Sequence, residues 1–273
     1  MRVNALIEAL EIEEPIGALD RPALDLAAIE YPDLDPEPYV ALLDNLARRV
    51  AARMNASTGP AFVEAAAEVL FNEFGLTGNQ TDYYNPRNSF LNDVLDRHTG
   101  IPITLSVIYM EIARRLGRPV YGLSLPGHFM VRYEDGDYSA YIDPFSAGRT
   151  VDRRQCVEIA RSITSVDISG DENAFAPATT RGILVRMLNN LRTIYIHREQ
   201  WDKLLPVLDL LIRALPGRAE DHKQRGVAMA QLGHLQRAAA EFKLYLDLAP
   251  AAADRGQVAR QLQAIQAVLA RLN

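Results

Sequence analysis

The sequence predicts an α+β chain in which helices pack on a small antiparallel sheet and an all-α region of helical repeats follows. Three observations carry this prediction. Apolar residues recur at helical spacing through most of the chain up to Gly117, alternating runs flank Asp135-Gly136, and a pattern in the C-terminal third returns after 34 residues.

Val3 to Glu11 reads as a first helix. A second runs from Pro36 to Met54, with Tyr39, Leu42, Leu43, Leu46 and Val50 on one stripe. The acidic, proline-bearing segment from Glu30 to Pro38 reads as a solvated loop leading into it. Pro60 opens a third helix that Gly75 closes after Phe74. The polar stretch from Gly78 to Asn88 contains two aromatics, a composition suited to lining a site. Tyr83, Tyr84, Asn85 and Asn88 are therefore candidates for a groove rim, although the same residues suit capping and stapling of the next helix. That helix is read from Gly100 to Gly117, with Pro102 in its first turn and Leu105, Ile108, Tyr109, Ile112 and Leu116 as its apolar stripe.

Pro119 to Leu125 reads as a strand, and Gly127 to Tyr133 with Tyr138 to Asp143 as a hairpin. Asp-Gly is a strong signal for a two-residue type I′ turn, because both central positions need positive φ. Centring the turn on Asp135-Gly136 sets Tyr133 opposite Tyr138, Val131 opposite Ala140, Phe129 opposite Ile142 and His128 opposite Asp143. Facing Cβ atoms lie roughly 4.5–5.5 Å apart, within hydrogen-bonding reach for an imidazole and a carboxylate. Phe129, Val131, Ala140 and Ile142 then share a buried face. His128, Met130, Arg132, Ser139 and Asp143 share the other, where a groove is expected.

Asp152 to Ile163 reads as one more helix. Beyond it Pro216 recurs as Pro250, Leu208 as Phe242, Tyr195 as Met229 and Trp201 as Leu235, each offset by 34 residues, the tetratricopeptide period. The helices are expected near Leu188–His197, Trp201–Leu215, Asp221–Leu232 and Leu235–Leu248, with a closing helix over Gln257–Leu272. A core domain over residues 1–175, helical in its N-terminal part, and repeats with their capping helix over 181–273 follow from this reading.

Composition limits the function classes. Of 273 residues 48% are hydrophobic, enough for a sizeable core, and a net charge of −6 offers no global attraction for phosphate backbones, so nucleic acid is not an expected partner. No apolar run approaches a membrane span, and the acidic N-terminal stretch is unlike a secretory signal, so a cytoplasmic protein is expected. The single cysteine, Cys156, excludes an intrachain disulfide. His98, His197, His222 and His234 are dispersed over different elements with no ligand spacing, so a metal is not expected, and no cofactor is expected either.

Helix, strand, histidine strand and aspartate strand in this order resemble the transglutaminase-like branch of the papain-type superfamily. That resemblance implies a papain/transglutaminase-like core with His128 as base and Asp143 as its orienter. Gly117 matches the family's glycine after the helix. The family's Gly-x-Cys falls on Gly100-Ile101-Pro102, so a proline stands where the thiol is expected. Asn88-Ser-Phe-Leu-Asn-Asp-Val-Leu95, Arg97, Gly100-Ile-Pro-Ile-Thr-Leu-Ser106, Pro126-Gly-His-Phe129 and Ile142-Asp-Pro-Phe145 together resemble the SirB-type bacterial proteins, which join a cysteine-less core of this kind to tetratricopeptide repeats.

An enzyme of this design needs an attacking group. Ser106, one turn beyond Pro102, is a candidate third member with His128 and Asp143, or else a small residue that lets the helix pack. Thr104 suits an orphan backbone group in the first turn, and Cys156 a buried apolar position. Pro102, Thr104 and Arg132 join the tyrosines and asparagines as groove candidates. Two functions are expected: a non-catalytic module binding a protein or peptide through groove and repeats, or a hydrolase or acyl-transfer enzyme that uses the dyad with a serine hydroxyl or water.

Overall fold

The computed structural model describes residues 4–11 and 17–272, and Val3 of the first expected helix lies outside them. The chain divides into two compact units, Met1–Met187 and Leu188–Asn273.

The first unit opens with α1 (Asn4–Glu11), α2 (Asp20–Leu26), α3 (Glu37–Arg53) and α4 (Gly59–Ala67), which continues as a π-helical turn over Glu68–Glu73. Thr58 caps α4, its hydroxyl accepting from the Ala61 N–H at 3.4 Å, and Gly75 turns the chain away with φ +80°. Two short strands, β1 (Thr77–Gly78) and β2 (Thr99–Gly100), pair in parallel around α5 (Leu91–Arg97). Neither α2, α5 nor this pair was legible as an element, each being seven residues or shorter.

Next comes α6 (Pro102–Arg115), ending before Gly117 at φ +63°. Its pattern suggests a one-sided stripe, yet every residue from Pro102 to Ala113 is buried, Thr104, Ser106 and Glu111 included. Such a helix is covered all round. Burial of Glu111 is compensated: its carboxylate accepts from the Leu19 N–H at 2.7 Å and pairs with Arg114 and Arg115, and Arg115 also reaches Asp20 at the start of α2.

The main sheet has the order β3 (Val120–Leu123), β4 (Met130–Glu134), β5 (Ser139–Asp143) and β6 (Arg149–Val151), antiparallel throughout. The hairpin register differs from the one the Asp-Gly signal implies. Val131 pairs with Ile142, Arg132 with Tyr141, Tyr133 with Ala140 and Glu134 with Ser139, so the two-residue loop is Gly136-Asp137. Gly136 alone takes a positive φ, +91°, the pattern of a type II′ turn rather than type I′. The cause lies in Asp135, whose carboxylate accepts from the N–H groups of Asp137 at 3.1 Å and Tyr138 at 2.8 Å and so closes the turn from outside. Because the slip moves facing partners by two positions, side chains keep their faces.

One face of this sheet meets α6 and α4, with the Phe62 ring in contact with those of Tyr133 and Tyr109. The other was expected to be open. Instead α7 (Arg153–Thr164) covers it, and Leu123, Leu125, Met130, Val151, Cys156, Val157 and Ala160 form a second core there. Helix α7 is capped reciprocally by Asp152 and Gln155.

Helix α8 (Thr180–His197) starts earlier than its apolar pattern suggested, and the division between units falls within it. In the second unit α9 (Trp201–Ala214), α10 (Ala219–Gln231), α11 (Leu235–Leu248) and α12 (Arg255–Leu272) follow the expected repeat closely. Glu199 at φ +53° and Gly233 at φ +78°, one period apart, make equivalent turns between helices. Gly226 lets the Phe242 ring lie against α10, where an added Cβ would come within 2.8 Å of it.

Close approach also occurs at Gly78, where a Cβ would meet the Phe145 carbonyl oxygen at 2.5 Å and its ring at 2.6 Å. Gly78→Ala is expected to lower stability by about 1–3 kcal/mol in urea denaturation. Gly170→Ala, with nothing within 4 Å, should stay within about 0.5 kcal/mol of the parent.

Candidate functional site

His128 sits just ahead of β4, placed there by a turn. The His128 N–H donates to the Leu125 carbonyl at 3.2 Å across Pro126-Gly127, and Gly127 takes φ +70°, the Pro-Gly pattern of a type II turn. A Cβ on Gly127 would also lie 2.5 Å from Ile163 of α7, so both conformation and space restrict this position to glycine. Asp143 ends β5 and begins a 3₁₀ turn over Pro144–Ser146. The true register leaves His128 diagonal to Asp143 rather than opposite, and the imidazole still reaches it: His128 Nε2 and Asp143 Oδ1 are 3.0 Å apart.

The pair is buried, with His128 6% and Asp143 2% exposed. Asp143 Oδ1 also accepts from the Phe145 N–H at 3.1 Å, and Oδ2 from the Ser146 hydroxyl at 2.8 Å. Burial pushes the carboxyl pKa up, but the hydrogen bond and charge of His128, with Ser146 and the Phe145 N–H, outweigh it and hold Asp143 below its ordinary value. With Nε2 engaged, Nδ1 is the ring nitrogen that remains for proton transfer.

Among the described residues no thiol or hydroxyl hydrogen-bonds to His128 to complete a triad. Pro102 is the buried first residue of α6 and carries no reactive atom. Ser106 Oγ is buried and has no hydrogen-bond partner, so no hydrogen bond joins it to His128. Thr104 is occupied at the helix start, accepting from the Ile101 N–H at 3.2 Å and donating to the Asn88 carbonyl at 2.8 Å. Cys156 lies in the core behind the dyad, its thiol pushed up to about 12 by burial and by the charges of Asp152 and Asp143.

The structure joins Tyr83 and Tyr84 to the dyad but not Arg132. Tyr84, 62% exposed, meets Tyr83 edge-to-face at 5.3 Å, Tyr83 meets Phe145 at 6.3 Å, and Phe145 meets the His128 ring at 6.1 Å. A ladder of rings thus leads from the surface to the imidazole. Asn85 and Asn88 support the loop: Asn85 caps the turn at Arg87, and the buried Asn88 side chain binds Asn79, Arg97 and the carbonyls of Asp82 and Tyr83. Arg132 pairs with Glu134 at 2.7 Å and stands between the rings of Tyr121 and Tyr141, on the far part of the sheet.

Two members of the cluster escaped the sequence reading. Phe145 stands in the Asp-Pro-Phe segment, whose proline and following turn signal only a reversal. Arg186 in α8 is remote in sequence and reaches the turn before His128, donating to Ser124 Oγ, the Leu125 carbonyl and the His128 carbonyl at 2.6, 2.9 and 2.7 Å. Among the described residues no group of His, Cys, Asp and Glu comes together that could hold a metal ion, and no helix is long and apolar enough to cross a membrane.

Comparison with known families matches residues 37–189 to the Transglutaminase-like superfamily and residues 191–263 to the tetratricopeptide repeat. The chain belongs to the Transglutaminase-like superfamily. It also belongs with the UPF0162 proteins, being 40% identical to one from Xylella fastidiosa strain Temecula1 over 233 residues, 84% of this chain and 83% of that protein. A UPF0162 protein of Pseudomonas aeruginosa is 29% identical over the same shares. Human F-box only protein 21 is 30% identical over 169 residues, 58% of this chain but 26% of that longer protein.

In this transglutaminase-like core the lowered Asp143 pKa ties stability to pH. A depressed carboxyl contributes fully above its unfolded value of about 3.9 and loses that contribution as pH falls through the folded value. Asp143→Asn should therefore cost about 1–3 kcal/mol at pH 7 in urea denaturation, with a smaller gap at pH 3. A gap that does not change with pH would contradict an ionised, hydrogen-bonded Asp143.

Proposed function

We propose that this transglutaminase-like protein is a non-catalytic module of the SirB type, working in the cytoplasm, that binds a protein or peptide beside His128 and through its helical repeats. The carrying observation is the buried proline that opens α6 where the resemblance expects the cysteine. Supporting it, the single thiol of the chain is buried and held protonated, and the Ser106 hydroxyl has no base beside it. A surface without an attacking atom can still bind, here at Tyr84 and its neighbour Tyr83, and tetratricopeptide arrays generally mediate protein interactions through their helical surfaces.

One observation favours a second reading. The His128–Asp143 hydrogen bond fixes the imidazole and leaves Nδ1 outside that bond, a position a hydrolase would use for its base.

Thiol labelling tests the first reading. Native protein should resist iodoacetamide at pH 7, because Cys156 is buried with a pKa of about 12, and should label only in denaturant. Pro102→Cys should add a thiol that labels slowly, its position being buried, yet about tenfold faster than in the same variant carrying His128→Ala. A folded Pro102→Cys protein whose labelling ignores His128 would sink the alignment on which the reading rests.

A further inference from the structure

The site beside His128 contains a cation that no carboxylate among the described residues pairs with. Arg186 presents five N–H donors. Three are used, by Ser124 Oγ and the carbonyls of Leu125 and His128, and all three acceptors are neutral. The remaining two, Nε–H and one Nη2–H, have no carboxylate among the described residues. The guanidinium lies over the Phe129 ring at 5.5 Å, and its charge is felt at the Tyr83 phenol. Burial pushes its pKa down, opposed by Tyr83. A half-buried guanidinium without a counterion is costly, and a planar, fixed fork is the preferred partner of a carboxylate.

Its surroundings narrow the ligand further. Tyr84, Tyr83 and Phe145 form an aromatic path from solvent to His128, and Arg186 is fastened to the backbone of that same histidine. A ligand lying along this path would set an apolar or aromatic side chain on the tyrosines and an acidic group on the guanidinium. We infer that Arg186 binds the carboxylate of a peptide ligand whose neighbouring side chain packs on Tyr83 and Tyr84. This inference rests on the reading of the surface beside His128 as a peptide-binding site and adds the chemistry it selects. A chain-terminal carboxylate and an acidic side chain share that chemistry.

Three probes separate the possibilities: acetyl-Gly-Tyr with a free carboxylate, acetyl-Gly-Tyr-amide and acetyl-Glu-Tyr-amide, each titrated into the full chain labelled with ¹⁵N-arginine. At least one acidic probe should shift the Arg186 Nε–H signal saturably and bind about tenfold or more tightly than the neutral amide. The preferred acid tells chain end from side chain. Arg186→Lys should remove the preference, and Tyr83→Ala should weaken all three probes together. If Arg186→Lys does not fold, the comparison of acid with amide on the parent protein decides alone. Equal binding of acid and amide with an unmoved Arg186 signal would overturn the inference and leave the peptide groove standing. No binding of any probe at millimolar concentration would also overturn it. Conversion of an amide probe to its acid, followed by chromatography, would sink the non-catalytic reading alone, since recognition by Arg186 is measured separately.

Discussion

The geometry around the dyad turns on one constraint, that a carboxylate taken out of water must have its oxygens satisfied. Asp143 meets it with an imidazole, a hydroxyl and a backbone N–H. Two of these three come from the 3₁₀ turn that follows it, so the direction the chain takes after β5 is tied to the charge of its last residue. The same turn brings Phe145 against both the His128 ring and Gly78, which is why a two-residue strand far from the dyad in sequence has no room for a Cβ. Satisfying one buried charge thus fixes a turn, a ring and a loop together.

Helix α6 imposes the second constraint. Being buried on every side, it has no freedom to slide or rotate without disturbing packing on both of its faces. Ser106 lies one turn from Pro102, but a register shift that carried its hydroxyl toward the imidazole would also move Glu111 from the N–H of Leu19 and Arg115 from Asp20 of α2. An interior ion network therefore locks the helix against the one movement that would supply a substitute nucleophile.

The architecture was legible where periodicity runs long. The repeat helices, the π-extended third helix and the boundaries of α6 at Pro102 and Gly117 all follow from spacing and from proline and glycine at the ends. Short elements were not legible, since α2, α5 and the β1–β2 pair span less than the window in which a period can be recognised. The hairpin was right in kind and one residue out in position, because a side-chain carboxylate at Asp135 decided the turn and a dipeptide rule does not contain that term. The juxtaposition of His128 and Asp143 survived the error, since a slip of two positions in pairing preserves faces. Openness of their face did not survive: α7 covers it, and only an apolar count over Leu123, Met130 and Val157 would have warned of a second core. Arg186 carried no signal at all, its role being set by tertiary approach.

A histidine hydrogen-bonded to an aspartate invites a catalytic interpretation, and here energetics weaken that inference. Both groups are buried, and deleting either leaves the other without its partner, at a cost of about 1–3 kcal/mol or more for a charged group. The pair therefore has a structural reason to be present whether or not any bond is made or broken beside it. Arg186 is likewise tied into the fold, by three bonds to neutral acceptors, but no carboxylate among the described residues pairs with it. In this site the fold alone accounts for the dyad, whereas the carboxylate proposed for Arg186 would answer a charge that three neutral acceptors and one aromatic ring leave without a counterion.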